Sequence, residues 1–264
     1  MIIAEIALFL QMTTMDAKII YIKEVDSTNN FLRSYEPEEG ESLTVVWTDF
    51  QTAGRGCGTN TWESEAGKNL TFSVLVRPSL VLAREQFILS MANAVALKRT
   101  LDAYVDNICI KWPNDIYWCD RKICGTLIET TLLGSYIRDC IIGTGLNVNQ
   151  QLFVSDAPNP VSLCQILGHE VDRDEVLQRV VTETENAMLQ VEQGDWETLR
   201  ATYRSALYRL GEIHSYRLPD GTVERFLMED VEDDGHLLLR SDYSGQLHRF
   251  GFKEVQFVID DDVL

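Results

Sequence analysis

Apolar positions along this chain follow two different spacings. Up to about residue 210, short apolar runs alternate with longer stretches at helical period. Residues 19–25, 43–48 and 70–76 predict strands, and Pro78 closes the third. Residues 84–101 carry Phe87, Ile88, Met91, Val95 and Leu101 at helical spacing, which predicts a scaffold helix with one apolar stripe. Ile108 to Ile110 read as a strand, Tyr117 and Trp118 as a second, and a third starts at Ile123 and runs through Ile128. Residues 136–142 predict another strand. It runs into Gly143-Thr144-Gly145-Leu146-Asn147-Val148-Asn149, which by itself reads as a Gly/Asn turn. Residues 161–167, 171–191 and 196–210 predict helices, the last two amphipathic.

From Gly211 the period drops to two. Short alternating strands are predicted at 213–218, 222–231, 236–240, 246–250 and 255–259. They are separated by Asp220-Gly221, Asp234-Gly235 and Ser244-Gly245, which suit hairpin turns. The pattern predicts an α+β protein: a mixed sheet packed with helices over residues 1–210, then a small antiparallel β-barrel over 211–264.

Three stretches carry candidate chemistry. The first is Lys111-Trp112-Pro113-Asn114-Asp115, followed by Lys122. Pro113 cannot lie inside a central strand, so the strand ends there and a polar turn follows. The turn presents Lys111, Asn114 and Asp115 together, with Lys122 returning beside them. Two ammonium groups, an amide and a carboxylate suit a polyphosphate and its metal. A hairpin with solvated charges at its tip fits the same spacing. The second is Asp26-Ser27-Thr28-Asn29, which can cap a helix N-terminus or serve a small polar ligand; the residues alone favour capping. The third is Gln51 to Trp62, with Gly54, Gly56 and Gly58. Such a loop lets backbone approach a ligand and can form an anion-binding nest. A surface turn has the same composition, and the loop is neither a P-loop nor a dinucleotide fingerprint.

Composition narrows the function classes. The 264 residues carry a formal net charge of −18, with no basic run for phosphate neutralisation, so nucleic-acid binding is not expected. The apolar run at residues 2–10 is too short to span a bilayer and contains Glu5; Met1 and Met15 are both possible starts. Six cysteines form no C-x-x-C pair and the four histidines are scattered, which argues for reduced core thiols and against a zinc site. A cytoplasmic protein without a membrane segment is expected.

The same stretches carry a family resemblance that covers most of the chain. Lys111 to Asp115 and Lys122-Ile123-Cys124-Gly125-Thr126-Leu127-Ile128-Glu129 resemble the K-W-P-N-D and K-x-x-G-I-L-I-E blocks of the biotin protein ligases. Ser27-Thr28-Asn29 matches the family's S-T-N, and the glycine loop is similar to G-R-G-R-x-G-R-x-W, with Cys57 and Asn60 in place of arginines. Gly143 to Asn149 is similar to G-I-G-x-N-V-N.

The resemblance implies a class II synthetase-like biotin/lipoate ligase fold with an SH3-like C-terminal domain. It implies ATP, biotin and Mg²⁺ as ligands, and a biotin carboxyl carrier protein as partner. The oligomeric state it leaves open is monomer or homodimer. It places Ser27, Thr28, Asn29, Gln51, Arg55, Gly56, Cys57 and Lys122 at biotin. Gly54, Gly58, Trp62, Lys111, Asn114 and Asn147 fall at ATP or the adenylate. Lys122, Arg55, Lys111 and Asp115 are the implied catalytic residues, with Asp115 on the metal. A lipoate or octanoate ligase shares the fold, but its R-R-x-x-G-G-G loop is absent here. A DNA-binding regulator needs an N-terminal helix-turn-helix, for which too few residues precede Ile19. A carrier-binding module inactivated at Cys57 is opposed by the presence of both Lys111 and Lys122.

Overall fold

The computed structural model describes residues 15–56, 58, 61–154 and 159–259. The expectations for residues 2–10 and for Cys57 and Asn60 lie outside these.

The first sheet has seven strands in the order β1-β2-β3-β7-β6-β5-β4. They are β1 (Ala17–Val25), β2 (Leu43–Gln51), β3 (Leu70–Val76), β4 (Ile108–Lys111), β5 (Asp115–Trp118), β6 (Arg121–Leu133) and β7 (Tyr136–Leu146). β1 and β2 are parallel and every other pair is antiparallel, so the sheet is mixed. A parallel pair needs a crossover, and α1 (Thr28–Ser34) supplies it. One face of the sheet packs on α2 (Phe87–Asp102), which packs in turn on α4 (Arg173–Glu192) and α5 (Trp196–Ser205). The other face carries α1, where Leu32 packs with Val46, Leu75 and Ile141.

Helix α2 departs from the expected stripe. Residues 88–97, Thr100 and Leu101 are all buried, so the helix is enclosed on nearly every side. Ala92, Ala94 and Ala96 are small enough to admit both the sheet and α4. The helix expected at 196–210 also stops early, at Ser205. There the chain turns to pair with the edge of β4: Ile110 N–H donates to Ala206 O (2.8 Å) and Tyr208 N–H to Ile110 O (2.9 Å). Pairing an exposed edge strand outweighs one more helical turn. The short helix α3 (Leu163–Leu167) starts two residues later than expected, behind a Ser162 and Gln165 capping box.

β7 gives the correction with functional weight. It continues through Gly143, Thr144 and Gly145 to Leu146, so this run is central strand and not a turn.

The second sheet has the order β11-β10-β9-β8-β12 and is wholly antiparallel. Its strands are β8 (Ile213–Arg217), β9 (Val223–Val231), β10 (Leu237–Ser241), β11 (Leu247–Phe250) and β12 (Gln256–Phe257). Gly221, Gly235 and Gly245 take positive φ in its turns, as the Asp-Gly and Ser-Gly pairs require. The two sheets are tied together by Trp112 Nε1–H, which donates to Gly235 O at 2.8 Å, and by the Arg209 guanidinium, which donates to Val258 O at 2.8 Å.

Candidate active site

A cavity of about 1080 Å³ opens on the α1 face of the first sheet, and the C-terminal segment forms part of its wall. Its floor is built from glycines. Gly125 of β6 and Gly145 of β7 are cross-strand partners, and the Trp62 indole lies on them. A Cβ on Gly145 would stand 2.0 Å from Trp62 Cε2, and one on Gly125 would stand 3.0 Å from Trp62 Cζ3. A flat aromatic platform on a strand pair needs this absence of side chains. It is the physical reason for glycine in a run that resembles a turn.

At one end of the cavity the helix-opening residues do something other than capping. Ser27 is the N-cap of α1 but makes no side-chain cap hydrogen bond. Thr28 donates to Gln51 Oε1 from its backbone N–H (2.7 Å) and from Oγ1 (3.0 Å). Ser73 Oγ lies 2.6 Å from both Thr28 Oγ1 and Asn29 Oδ1, and Asn29 Nδ2 donates to Glu129 Oε2 at 2.9 Å. Ser27, Thr28 and Asn29 are buried. Ser27, Thr28, Asn29 and Gln51 line the cavity, with Thr28 and Asn29 fixed by hydrogen bonds to Gln51, Ser73 and Glu129, so capping is not their role.

Glu129 organises the adjoining wall. It receives Arg33 at 2.7 Å and Arg55 at 3.0 Å. Burial pushes its carboxyl upward, but the hydrogen bonds from Asn29 and Arg55 and the nearby guanidinium charges outweigh that and hold it below the ordinary glutamate value. Arg55 is thus aimed by Glu129. It also bridges to Thr61 across the glycine loop, and Trp62 N–H donates to Gly54 O at 3.3 Å. The described part of the loop therefore closes like a hairpin, with Arg55, Gly56 and Trp62 along the cavity.

The second end holds the charges of the β4–β5 hairpin. Lys111 and Asp115 are register partners, and Lys122 Nζ pairs with Asp115 Oδ1 at 2.8 Å. Lys122 is three-quarters buried, not a solvated hairpin-tip lysine. Its backbone is held by Asn159 O and Val161 N. Lys111 Nζ lies 5.2 Å from the Tyr117 ring centroid and 4.9 Å from that of Phe257, which comes from the second sheet. Burial lowers its pKa below the usual lysine value; Asp115 opposes this, while Lys122 and Arg209 add to it. Asn114 donates its amide to Thr126 O at 2.6 Å and so anchors the turn to β6. Asn147 donates to Val161 O at 3.1 Å, which leaves its buried Oδ1 without a partner among the described residues. Such an acceptor facing a cavity suits a ligand N–H.

The structure thus gathers all the expected site residues it describes except Gly54 and Gly58 into the cavity wall, and those two lie in the loop above it. Cys57 is outside the described residues. Sequence reasoning missed Ser73, Phe257 and Lys253. Ser73 sits in an apolar strand whose alternation marks it only as facing away from the core. Phe257 comes from the second sheet and Lys253 from the segment between its strands β11 and β12, beyond the reach of any local motif. Cys124 and Cys140 are buried free thiols of the core, and burial pushes Cys140 up to about 12; Cys109, also expected in the core, is only partly buried. Among the described residues, Glu232, Asp234 and His236 are the one cluster with metal-ligand spacing. It lies away from the cavity, and Arg249 pairs with Glu232 and Asp234.

Residues 21–147 match the model of the biotin/lipoate A/B protein ligase family. The chain is 28% identical over 243 residues to the bifunctional ligase/repressor BirA of Bacillus subtilis, covering 90% of this chain and 74% of that one. It is 28% identical over 227 residues to the biotin–[acetyl-CoA-carboxylase] ligase of Paracoccus denitrificans, covering 83% and 92%. The biotin protein ligase from Aquifex aeolicus, solved with biotin and ATP, superposes with a TM-score of 0.75 at 23% identity, covering 91% of this chain and 99% of that one. Residues 21–147 therefore form a biotin/lipoate A/B protein ligase family domain.

Proposed function

We propose that the chain is an ATP-dependent biotin–protein ligase. It joins biotin to AMP with release of pyrophosphate, then passes biotin to a lysine of a biotin carboxyl carrier domain. The observation that carries this reading is the juxtaposition in one cavity of a neutral polar array and a cluster of cations, divided by the Trp62 platform. Thr28, Asn29, Gln51 and Ser73 form the array, and it suits a ureido ring that both donates and accepts. Relatives named as biotin–[acetyl-CoA-carboxylase] ligases, and structures solved with biotin and ATP or with biotinyl-5-AMP, support it.

In this reading a carboxylate oxygen of biotin attacks the α-phosphorus of ATP and the bond to the β-phosphate oxygen breaks. Charge grows on the phosphoryl oxygens, where fixed cations act most strongly. Lys122 and Arg55 meet that charge, each aimed beforehand by a carboxylate, Asp115 and Glu129. Asn147 Oδ1 accepts from the adenine amine. The loop from Gly54 covers the acyl-adenylate and excludes the water that would hydrolyse it. A carrier lysine amine then attacks the acyl carbon, AMP leaves, and the amine loses a proton. Mg²⁺ fits as a companion of the triphosphate. Asp115 would be the carboxylate that holds the ion beside the phosphate oxygens. When bound, the ion neutralises triphosphate charge.

An ATP-using modification of a carrier protein belongs in the cytoplasm, and no helix among the described residues is long and apolar enough to cross a membrane. Residues 1–210 would form the catalytic domain and 211–264 an SH3-like domain that completes its wall. Pyrophosphate release measured separately with biotin and with lipoate tests the reading. Release with biotin is expected to be faster by at least a hundredfold, because a dithiolane ring cannot pair with the polar array. Faster release with lipoate would overturn the assignment.

A further inference from the structure

One cation in the cavity wall has no place in the reading above. Lys253 comes from the C-terminal segment between β11 and β12 and lines the cavity beside Phe252, Val255 and Phe257. Its ammonium stands over the glycine loop: a Cβ added to Gly58 would lie 2.6 Å from Lys253 Nζ. The other cations of the cavity are occupied. Arg55 is on Glu129, Lys122 is on Asp115, and Lys111 lies between two aromatic rings. Among the described residues, the Lys253 ammonium meets no carboxylate, only the Phe252 ring at 5.6 Å. That is unusual in a chain with 41 acidic against 23 basic residues.

The backbone carries a second sign. Lys253 has φ of 68°, in the left-handed region where glycine is at ease and lysine is not. Side chains held at such a position mark places where the side chain itself is needed. An exposed, unpaired ammonium at the rim, opposite loop backbone that can approach closely, suits an anion that reaches out of the cavity. The nucleoside end of ATP is met deeper, by Trp62 and Asn147, so the part at the rim is the terminal phosphates.

We propose that Lys253 is a phosphate-binding residue that holds the β,γ end of the ATP triphosphate, and hence the departing pyrophosphate, against the glycine loop. This assignment rests on the ligase reading for its substrate. Inorganic pyrophosphate probes the cation whether or not the protein ligates biotin.

The full-length protein and its Lys253→Ala, Lys253→Gly and Lys253→Arg variants are titrated with inorganic pyrophosphate in a calorimeter. They are then assayed for the KM of ATP and for release of pre-formed biotinyl-AMP, which lacks β- and γ-phosphates. Loss of a charge-assisted hydrogen bond predicts that Ala and Gly weaken pyrophosphate binding about tenfold or more and raise the KM of ATP in parallel. Arg should restore both. Gly should melt no lower than the parent protein, because it relieves the backbone. Release of biotinyl-AMP should stay within about twofold of the parent rate in all three variants. Unchanged pyrophosphate affinity in Ala and Gly would overturn the assignment. So would release of biotinyl-AMP accelerated as much as pyrophosphate binding is weakened, which would place Lys253 on the α-phosphate. Normal pyrophosphate binding by the parent protein, with no biotin-dependent turnover, would refute the ligase reading and leave Lys253 an anion site.

Discussion

Lys122→Ala should lower the rate of biotinyl-AMP formation roughly a hundredfold or more, the scale for losing one aimed charge donor. The Lys122 backbone N–H donates to Asn159 O at 2.8 Å, and its carbonyl accepts from Val161 N–H at 2.9 Å, so the strand end is fixed. Its ammonium is oriented by Asp115 at 2.8 Å and stands beside Gly125, under the edge of Trp62. The group is therefore preorganised at the junction of the two ends of the cavity, where the acyl oxygen and the α-phosphorus must meet. The competing view is an ordinary ion pair, worth up to about 1 kcal/mol when exposed. The pair is more buried than that, so its loss should cost some stability, because Asp115 is left largely buried without its cation. The melting temperature should fall by a few degrees at most, and the protein should remain folded. Transfer from added biotinyl-AMP should suffer less than its synthesis, since the phosphoryl step is bypassed. Near-normal adenylation by a folded variant would remove Lys122 from the mechanism and leave the charge to Arg55 and Lys111.

Much of this arrangement is legible in the sequence because it is local. Strand period, the break at Pro113 and the Asp-Gly turns locate β3, β5 and β9 within a residue or two. The hairpin spacing brings Lys111, Asn114, Asp115 and Lys122 together without any knowledge of the rest of the fold. What local patterns cannot carry is the pairing across the molecule. Ser27-Thr28-Asn29 has the composition of a helix cap. Only the approach of β2, β3 and β6, bringing Gln51, Ser73 and Glu129, turns those side chains into a binding array. Gly143-Thr144-Gly145 has the composition of a turn because glycine serves two ends, a positive φ and a missing side chain. Here the missing side chain matters: neither Gly143 nor Gly145 takes positive φ. Phe257 and Lys253 reach the cavity from more than a hundred residues beyond the hairpin, and only the closure of the second sheet onto the first places them there.

Gly143→Ala should abolish biotin binding for practical purposes while sparing nucleotide affinity. On β7 this residue faces α1, and a Cβ there would lie 2.1 Å from Asn29 Oδ1, 2.9 Å from Cγ and 3.1 Å from Nδ2. Contacts that short cannot be absorbed unless the asparagine moves. Asn29 has little freedom to move, because Ser73 holds its oxygen at 2.6 Å and Glu129 holds its nitrogen at 2.9 Å. Displacing it therefore breaks one buried and one partly buried hydrogen bond. It also disturbs Thr28, which shares Ser73, and frees Glu129 from one of the partners that keep it ionised and aimed at Arg55. At about 0.5–1 kcal/mol for the neutral bond to Ser73 and about 1.5–3 kcal/mol for the bond to the Glu129 carboxylate, the array loses roughly 2–4 kcal/mol of its preference for the ligand. That corresponds to a rise of about thirty- to a thousandfold in the KM for biotin. The KM for ATP should change by less than about threefold, since Lys111, Lys122 and Asn147 lie beyond the Trp62 platform. The Asn29→Ala/Gly143→Ala double variant sharpens the test. With the asparagine truncated, the added methyl has room, so the second substitution should cost almost nothing further. If Gly143→Ala alone binds biotin normally, the array around Asn29 is not the biotin site. If the two substitutions simply add, the harm of the methyl comes from distorting β7 and not from the clash with Asn29.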